Sequence, residues 1–398
     1  MYVVRDIEKA LAGFSNQSFA LVGPRQAGKT TLLKKKLATV EQGNYLSFDD
    51  PDILELFNDD IKLFATRFAK GRIVVLDEVQ YTQDGGKKVK YLIDMASKLV
   101  WLTGSSEYVL SKKILAPLVG RINLFTLYPF SFREFLKAKK ISEVNTASEG
   151  ELKRLISEHM IFGGYPRIIF EKGLENKKLM LKNILKLITE KDVSIMLGLK
   201  PEEEQDVTKI ARMLAFHTGS QINYSGLSRE LGIKHAKLKA YVAALERAFI
   251  LKLVPPFYTN KTQELVKSPK IFFIDTGLRN ALVGNFGSQR PDMGGLFENY
   301  VFTELLKLGF NPKYWRTKSG AEVDFVIEQA GKLIGIEVKT GPGRLTRGTH
   351  SFIKKYKPDK ILVVCSENKE EQMGSTRVVF TRVENLRKWL IGSGAGKK

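Results

Sequence analysis

Short apolar runs alternate with amphipathic stretches along the first 140 residues of the chain. The apolar runs are FALVG at 19–23, NYLSF at 44–48, RIVVLDE at 72–78, LVWLTGSS at 99–106 and INLFTL at 122–127. Strands that are apolar at consecutive positions are typical of a parallel sheet, because helices cover both of its faces. The pattern therefore predicts an α/β domain with a parallel sheet over residues 1–140.

The hydrophobic period changes in the middle of the chain. Between residues 141 and 290, apolar side chains recur at helical spacing, as in Leu181, Ile184, Leu185 and Ile188. This period predicts a block that is mostly α-helical. The block ends at a turn-rich stretch, GNFGSQRPDMGG.

Helices and strands alternate again in the last block, residues 291–398. A helix is predicted in LFENYVFTELLKLG, followed by strands around YWRT, EVDFVIE and LIGIEVKT, a second helix, and a strand in ILVVC. These elements predict a second α/β domain. The predicted domains are therefore 1–140, 141–290 and 291–398.

Length and composition exclude several classes of protein. The chain has 398 residues, of which 43% are hydrophobic and 27% are charged, close to the average for soluble proteins. It has no run of about 18 uncharged apolar residues, and its N-terminus, MYVVRDIEKA, lacks the order of a signal peptide. The single cysteine, Cys365, cannot form an intramolecular disulfide. We therefore predict a cytoplasmic protein without a membrane partner.

The net charge of +21 arises from 64 Lys and Arg against 43 Asp and Glu. A balance this basic favours a polyanionic partner such as DNA. Each block has an excess of +7. The first has 22 basic and 15 acidic residues, the second 23 and 16, and the third 19 and 12. A lysine-rich solvated surface of the thermophile kind would give the same balance, so charge alone leaves both interpretations open.

The most specific motif follows the first predicted strand. Residues 23–31 read GPRQAGKTT, a complete GxxxxGK[ST] pattern that opens the helical stretch TTLLKKKLA. Such a loop points backbone N–H groups at phosphate oxygens beside a helix N-terminus. The predicted nucleotide-binding residues are Gly23, Pro24, Arg25, Gln26, Ala27, Gly28, Lys29, Thr30 and Thr31. Lys29 is expected to contact the β and γ phosphates, and the Thr30 hydroxyl to bind Mg²⁺.

An acidic pair, Asp77 and Glu78, ends the third predicted strand in RIVVLDEVQ. Asp77 is predicted to hold Mg²⁺ through water, and Glu78 to polarise the attacking water. Acidic residues often begin loops, so the pair is informative because it accompanies the phosphate loop. The two motifs together predict nucleotide hydrolysis.

Two further polar features belong to the same block. WLTGSSE places the Thr103, Ser105 and Ser106 hydroxyls after the fourth strand, where one can lie between Glu78 and the γ-phosphate. A turn that caps the next helix is the alternative. Arg121 precedes the fifth strand and is predicted to neutralise transition-state charge in its own or a neighbouring subunit. An ordinary surface arginine is the alternative.

The helical block contains a pattern typical of a winged helix. In GSQINYSGLSRELGIKHAKLKAYVAALERAFILKLVPPF, a helix, a tight turn, a second helix and an apolar strand follow one another. In a DNA-binding version, the second helix presents four basic side chains to the DNA, namely Lys234, His235, Lys237 and Lys239. The positions predicted to pack inward are Leu238, Tyr241, Val242 and Leu245. A linker with solvated lysines is the alternative.

Carboxylates in the last block follow the D…ExK arrangement of restriction-type nucleases. Asp324 lies in GAEVDFVI, and Glu337 and Lys339 lie on one face of the strand in GIEVKTG. Asp324, Glu337 and the Val338 carbonyl are predicted to bind Mg²⁺, with Lys339 positioning or helping to deprotonate the attacking water.

A further acid is expected on the helix that precedes these strands. Glu298 is the predicted additional metal ligand, and Glu304 is the alternative. Glu322 shares the face of Asp324, and it is either a further ligand or a partner of Arg316.

As a set, these motifs resemble the prokaryotic AAA-type ATPases that carry an N-terminal P-loop domain and a C-terminal restriction-endonuclease-like domain. The matching pieces are GPRQAGKTT, VVLDEVQ, LTGSS, LVGRI, LYPFSFREFL, GGYPR, FFIDTGL, LFENYVFTEL, GAEVDFVI and GIEVKTG. The resemblance covers residues 1 to about 390. It implies a P-loop ATPase domain, a helical lid with a winged-helix middle, and an α/β nuclease-like domain. It also implies ATP and Mg²⁺ as ligands, and assembly into a homo-oligomer in which Arg121 can act on a neighbour's nucleotide.

The resulting hypothesis is a magnesium-dependent ATPase whose cycle rearranges a DNA-binding half that can also cut DNA. The alternative is a nucleotide-gated DNA-binding or regulatory protein whose C-terminal carboxylates are vestigial. GGYPR and DTGL mark the family without explaining any chemistry.

Overall fold

The computed structural model of the protein describes residues 2–40, 43–104, 114–141, 148–258 and 267–392. It divides into two compact units made of segments that are not contiguous in sequence. Unit 1 comprises Met1–Phe130, Tyr165–Thr208 and Ala240–Ile250, and unit 2 comprises Ser131–Gly164, Lys209–Lys239 and Leu251–Lys398. The division into three consecutive domains stays a prediction. Ser105 and Ser106, two of the predicted hydroxyls, lie outside the described residues.

Unit 1 is built around a five-stranded parallel sheet. The strands are β1 (Phe19–Val22), β2 (Gly43–Ser47), β3 (Ile73–Asp77), β4 (Leu99–Gly104) and β5 (Asn123–Thr126), in the order β2-β3-β4-β1-β5. All neighbouring strands run parallel. Every residue of β1 and β3 is buried, as expected for central strands covered on both faces. The predicted α/β fold with a parallel sheet is confirmed.

The helices of this part of the chain pack against the sheet. They are α1 (Glu8–Ala12), α2 (Lys29–Leu37), α3 (Pro51–Asp59), α4 (Ile61–Phe68) and α5 (Gly85–Asp94). Leu32 and Leu33 of α2 share a hydrophobic cluster with Phe19, Val75 and Trp101. Because β1, β3 and β4 are adjacent and parallel, the loops that follow them meet at one edge of the sheet.

Helices dominate the middle of the chain. They are α6 (Phe132–Ala138), α7 (Glu149–Phe162), α8 (Pro166–Phe170), α9 (Leu174–Leu187), α10 (Ser194–Leu197), α11 (Pro201–Phe216), α12 (Tyr224–Leu231) and α13 (His235–Arg247). A π-helical segment, Ile188–Val193, joins α9 to α10. Leu181, Ile184, Leu185 and Ile188 are buried, as their spacing predicts. Within the described residues, no helix combines the length and apolar character that crossing a bilayer requires.

Unit 2 contains two sheets. Strands β6 (Leu251–Val254) and β7 (Lys270–Phe273) form an antiparallel pair. The larger sheet has the order β12-β13-β11-β10-β9-β8 and consists of β8 (Lys313–Arg316), β9 (Glu322–Gln329), β10 (Lys332–Val338), β11 (Lys360–Val364), β12 (Lys369–Met373) and β13 (Thr376–Thr381). Its parallel pairs are β10 with β11 and β11 with β13, and its other pairs are antiparallel.

Helices precede and separate these strands. They are α14 (Thr276–Val283), α15 (Met293–Lys307), α16 (Arg347–Tyr356) and α17 (Leu386–Leu390). The elements predicted for the last block are all present, and β12 and β13 are additional strands. The identity of this fold as a restriction-endonuclease-like domain stays a prediction.

The motifs GGYPR and DTGL meet inside unit 2. The buried Asp275 carboxylate accepts hydrogen bonds from the Leu278 N–H, at 3.1 Å, and from the Gly164 N–H, at 2.7 Å. Gly163 has φ 75° and ψ −170°, and a Cβ atom at this position would collide with Asp275. A Cβ at Gly277 would collide with the Phe162 carbonyl. Both motifs therefore serve a close crossing of two backbone segments.

Candidate functional site

The phosphate loop connects β1 directly to α2, as its motif predicts. Gly28 precedes α2 with φ 98°, a conformation that favours glycine. Gly23 has φ 150°, and a Cβ atom there would collide with the Leu127 carbonyl oxygen. The two glycines therefore allow the loop to turn tightly and to lie against the residue that follows β5.

Lys29 begins α2 and is buried. Its ammonium donates hydrogen bonds to the carbonyl oxygens of Gly23, at 2.8 Å, and Pro24, at 3.0 Å. Burial lowers the pKa of Lys29, and the charges of Glu78 and Asp77 oppose that effect. A nucleotide phosphate is charged and is therefore a stronger acceptor than these carbonyls.

Asp77 brings three hydroxyl groups to the end of β3. The carboxylate is 3% exposed and accepts hydrogen bonds from Thr30, at 2.7 Å, and from Tyr45 and Thr103. The two side chains predicted to hold Mg²⁺, Thr30 and Asp77, are thus in contact. Carboxylate and hydroxyl oxygens are the hard ligands that Mg²⁺ prefers, so the residues present fit this ion.

Glu78 follows in a left-handed conformation, with φ 58°. Its backbone N–H donates to the Thr103 hydroxyl, at 3.1 Å, and its carboxylate accepts a hydrogen bond from Gln80. Burial raises the pKa of Glu78, while the Lys29 charge acts to lower it. Thr103, the described member of the predicted hydroxyl group, thus contacts both residues of the acidic pair.

Arg25 in the phosphate loop is held by Asp192, a residue that no sequence motif identified. The guanidinium donates to the Asp192 carboxylate at distances between 2.6 and 2.9 Å. Asp192 lies in the π-helical segment, and its hydrogen bonds raise the pKa of Arg25. Asp192 is 167 residues from Arg25 in sequence, so the local sequence offered no indication of this contact.

Arg5 is a second residue that the sequence did not identify. The buried guanidinium donates to the carbonyl oxygens of Ala27, at 2.8 Å, and Tyr128, at 2.6 Å, and lies 4.6 Å from the centre of the Phe130 ring. Arg5 thereby fixes the backbone of the phosphate loop to the segment after β5. The signal available in the sequence was an arginine that directly follows the apolar run MYVV.

Arg121, the predicted transition-state residue, forms an ion pair with Asp94 at 2.8 Å. About one third of each side chain is exposed. The hydrogen bond from Arg121 lowers the pKa of Asp94. Action of Arg121 on a nucleotide would require the guanidinium to leave Asp94, and this role stays a prediction.

The D…ExK residues lie close together in unit 2. The Asp324 carboxylate on β9 accepts a hydrogen bond from the Val338 N–H on β10, at 2.7 Å. The Glu337 carboxylate contacts Lys339, at 2.7 Å, and accepts a hydrogen bond from Thr349, at 3.4 Å. Burial, and then the charge of Asp324, raise the pKa of Glu337 to about 7.

Glu298, the predicted additional ligand, contacts a lysine instead of facing a metal position. Its carboxylate lies 3.1 Å from the Lys270 ammonium, which also contacts Glu322. Glu322 in addition lies 3.5 Å from Arg316, so the predicted partner role is present. The alternative acid, Glu304, accepts from the Phe132 N–H, at 3.0 Å, and pairs with Lys307.

These contacts surround the residues of the predicted metal site in unit 2, which stays a prediction. Among the residues that the structure describes, no group of three or more Asp, Glu, His or Cys side chains is arranged to hold a metal ion. Each member of the predicted set of Glu298, Asp324 and Glu337 has a protein partner, and Lys270 supplies the positive charge beside Glu298. The carboxylates predicted to bind the metal are therefore paired with groups of the protein itself.

The predicted recognition helix is α13. Lys234, which precedes it, and His235 and Lys239 are exposed, and Lys237 is partly exposed. The four positions predicted to face inward, Leu238, Tyr241, Val242 and Leu245, are all buried. The helix is thus divided into a basic and an apolar face, as its sequence predicts.

Family models match three successive parts of the chain. Residues 15–136 match a model described as an AAA domain. Residues 153–289 and 293–385 match two models that are each described as a domain of unknown function. The C-terminal match thus carries no description as a nuclease.

Several proteins are similar over most of their length. An uncharacterized protein of Haemophilus influenzae is 24% identical over 395 residues, covering 93% of this chain and 95% of its own. An uncharacterized protein of Methanocaldococcus jannaschii is 28% identical over 338 residues, covering 81% of this chain and 74% of its own.

Among solved structures, the Walker-type ATPase of Pyrococcus abyssi matches with a TM-score of 0.44 and 18% identity, covering 70% of this chain and 96% of its own. The ORC2 protein of Aeropyrum pernix, in its ADP form, matches with a TM-score of 0.33 and 15% identity, covering 71% of this chain and 92% of its own. The AAA match coincides with the parallel sheet and the phosphate loop. The N-terminal part of the chain is therefore similar to AAA domains and has the parallel sheet and phosphate loop of a P-loop ATPase-like domain.

Proposed function

We propose that the protein is a magnesium-dependent ATPase that couples hydrolysis to DNA binding. The observation that supports it most directly is the contact between Thr30 and Asp77, beside the buried Lys29 and the partly buried Glu78. A hydroxyl and a carboxylate in contact at this position have no apolar packing role. They form a cation-binding pair next to a loop that binds phosphate.

The residues of the loop and of the acidic pair have different roles. The backbone N–H groups of residues 23–30 and the Lys29 ammonium bind the phosphates, and Thr30 and Asp77 hold Mg²⁺. Bound Mg²⁺ supplies positive charge that offsets the charge on the β and γ phosphates. Thr103 keeps the acidic pair in place through its hydrogen bonds to Asp77 and Glu78.

Glu78 orients the attacking water in the hydrolytic step. The water oxygen bonds to the γ-phosphorus as the bond to the β,γ-bridging oxygen breaks, which gives ADP and phosphate. The proton of the water passes to the Glu78 carboxylate and then to the released phosphate. Burial raises the pKa of Glu78, and a higher pKa makes the carboxylate a better proton acceptor.

DNA binding is assigned to α13 and the residues just before it. The exposed basic side chains there, together with the +21 charge of the chain, favour a phosphate backbone as partner. Unit 2 is not assigned DNA cleavage, because the carboxylates of its D…ExK pattern and Glu298 pair with lysines or a backbone N–H group.

ATP hydrolysis by wild type, Lys29→Ala and Lys35→Ala tests the proposal. Lys35 is an exposed residue of the same helix and serves as the matched control. We expect Mg²⁺-dependent release of phosphate by wild type and Lys35→Ala, and loss of both nucleotide binding and turnover in Lys29→Ala. Turnover by Lys29→Ala at the wild-type rate would show that this loop is not the active site.

A further inference from the structure

Lys270 is a buried, fixed side chain in unit 2. It is the first residue of β7, and its backbone forms a bridge with Gln221. Its side chain is 4% exposed, and the Tyr314 ring lies 5.6 Å from the ammonium. The Tyr314 hydroxyl is itself fixed, since it accepts a hydrogen bond from Gln221 and donates one to the Ser268 carbonyl, both at 2.6 Å. The ammonium therefore has one position, unlike that of a surface lysine.

The ammonium lies among the carboxylates that the sequence suggested as metal ligands. It is 3.1 Å from Glu298 and in contact with Glu322. The side chain is thus held in its charged form in a place where an unpaired charge would be strongly disfavoured.

The other carboxylates of this group also have protein partners. Asp324 accepts a hydrogen bond from the Val338 N–H. Glu337 pairs with Lys339. A divalent cation would have to displace several of these contacts before it gained its own ligands.

We propose that the Lys270 ammonium takes the place of a divalent cation among the C-terminal carboxylates, so that this cluster is a network of ion pairs within the protein. An ammonium offsets carboxylate charge, but it has no open coordination position at which a water molecule could be activated. The cluster therefore holds β7, α15 and β9 together without cutting DNA. This inference does not depend on the ATPase, which belongs to the other unit.

Binding of Mn²⁺ alone, in the absence of nucleotide, tests the proposal. The full-length wild type and the Lys270→Met variant are compared by isothermal titration and by electron paramagnetic resonance of free Mn²⁺. Methionine keeps the length and apolar stem of lysine without its charge. We expect Lys270→Met to bind one Mn²⁺ ion per chain that the wild type does not bind, and Lys270→Met/Asp324→Asn to lose it. A folded Lys270→Met variant that gains no Mn²⁺ ion would overturn the proposal.

Two further measurements keep the test decisive if Lys270→Met does not fold. The double variant Lys270→Met/Glu298→Gln removes one charge of each sign, and we expect it to fold with a melting temperature near that of wild type and to bind no additional Mn²⁺. Lys332→Met, at an exposed position of β10, is the control for loss of a lysine.

Wild type incubated with labelled duplex DNA and Mn²⁺ is expected to give no cleavage products. Mn²⁺ binding or DNA cleavage by wild type that disappears in Asp324→Asn would overturn the proposal.

Discussion

Both units contain a group of carboxylates, but the partners of these carboxylates differ. In unit 1, Asp77 accepts hydrogen bonds from three hydroxyl groups, and the nearby Lys29 ammonium donates to loop carbonyls instead. In unit 2, Glu298 and Glu322 contact the Lys270 ammonium directly. Hydroxyl partners leave the charge of a carboxylate available to a metal ion, whereas an ammonium offsets it.

The difference shows that a pattern of acidic residues predicts metal chemistry only where the neighbouring cations are also known. The phosphate loop satisfies this condition within its own motif, since Lys29 and Thr30 are adjacent in sequence. The D…ExK pattern does not, because Lys270 lies more than fifty residues before Asp324. Its side chain reaches the cluster only through the folding of β7.

The largest effect is expected for Glu78→Gln, compared with Glu337→Gln in unit 2. Glu337 is buried and Glu78 is partly buried, and burial raises the pKa of each. Glu78→Gln should lower kcat for ATP by about 100- to 10,000-fold, because it removes the group that accepts the proton of the attacking water. ATP binding should persist. Glu337→Gln should leave ATP turnover unchanged, as measured by phosphate release.

The pH profile sharpens this comparison. The base must be deprotonated, and the pKa of Glu78 is raised, so turnover of the wild type should fall as the pH is lowered through that raised pKa. The Glu337→Gln profile should match that of wild type. Equal kcat values for wild type and Glu78→Gln would rule out Glu78 as the base.

The next largest effect concerns the backbone crossing in unit 2. Gly163→Ala should lower the free energy of unfolding by at least about 2 kcal/mol, because its φ and ψ are accessible essentially only to glycine and the added methyl group collides with Asp275. Gly150→Ala is the control, since a Cβ atom there meets nothing within 4 Å. Urea denaturation of both variants provides the measurement, and equal midpoints would contradict the role of GGYPR in this crossing.

A smaller effect is expected from the ion pair that holds the phosphate loop. Asp192→Asn should weaken ATP binding roughly tenfold, equivalent to about 1.4 kcal/mol, because Arg25 loses a charged partner and the loop loses its fixed position. Glu190→Gln, at an exposed position of the same π-helical segment, should bind ATP as wild type does. Fluorescence anisotropy of a labelled ATP analogue separates the two results. Unchanged affinity in Asp192→Asn would show that the loop keeps its conformation without this pair.

The smallest effect per residue is expected on the surface of α13. Reversal of Lys234, Lys237 and Lys239 to glutamate should weaken binding of any duplex and reduce the slope of log K against log salt by about 3, because each phosphate contact releases condensed counterions. Anisotropy of one random duplex at several salt concentrations provides the measurement.

Reversal of three exposed basic residues of unit 1, Lys62, Arg67 and Lys70, is the matched control and should leave the slope unchanged. Equal slopes for the α13 variant and wild type would show that this region is a linker and that its positive charge serves only to solvate the surface.

The sequence by itself determined the elements whose physical causes are local. Consecutive apolar residues in RIVVLD and FALV require burial on both faces, and so they predicted the parallel sheet. The spacing of GPRQAGKTT fixed the loop, the helix start and the residues near phosphate, because glycine conformation and helix geometry act within a few residues. The two faces of α13 followed from helical period in the same way.

Only the tertiary structure decided which charged groups meet across long stretches of chain. Arg5 reaches Ala27 and Tyr128, Asp192 reaches Arg25, and Lys270 reaches Glu298. Each of these pairs depends on where the chain returns after intervening strands and helices, and no local period or motif encodes that return. A buried charge requires a partner, but the residue type alone does not say which one. For that reason the phosphate loop could be assigned from the sequence, whereas the C-terminal carboxylates could be interpreted only after their cation was located.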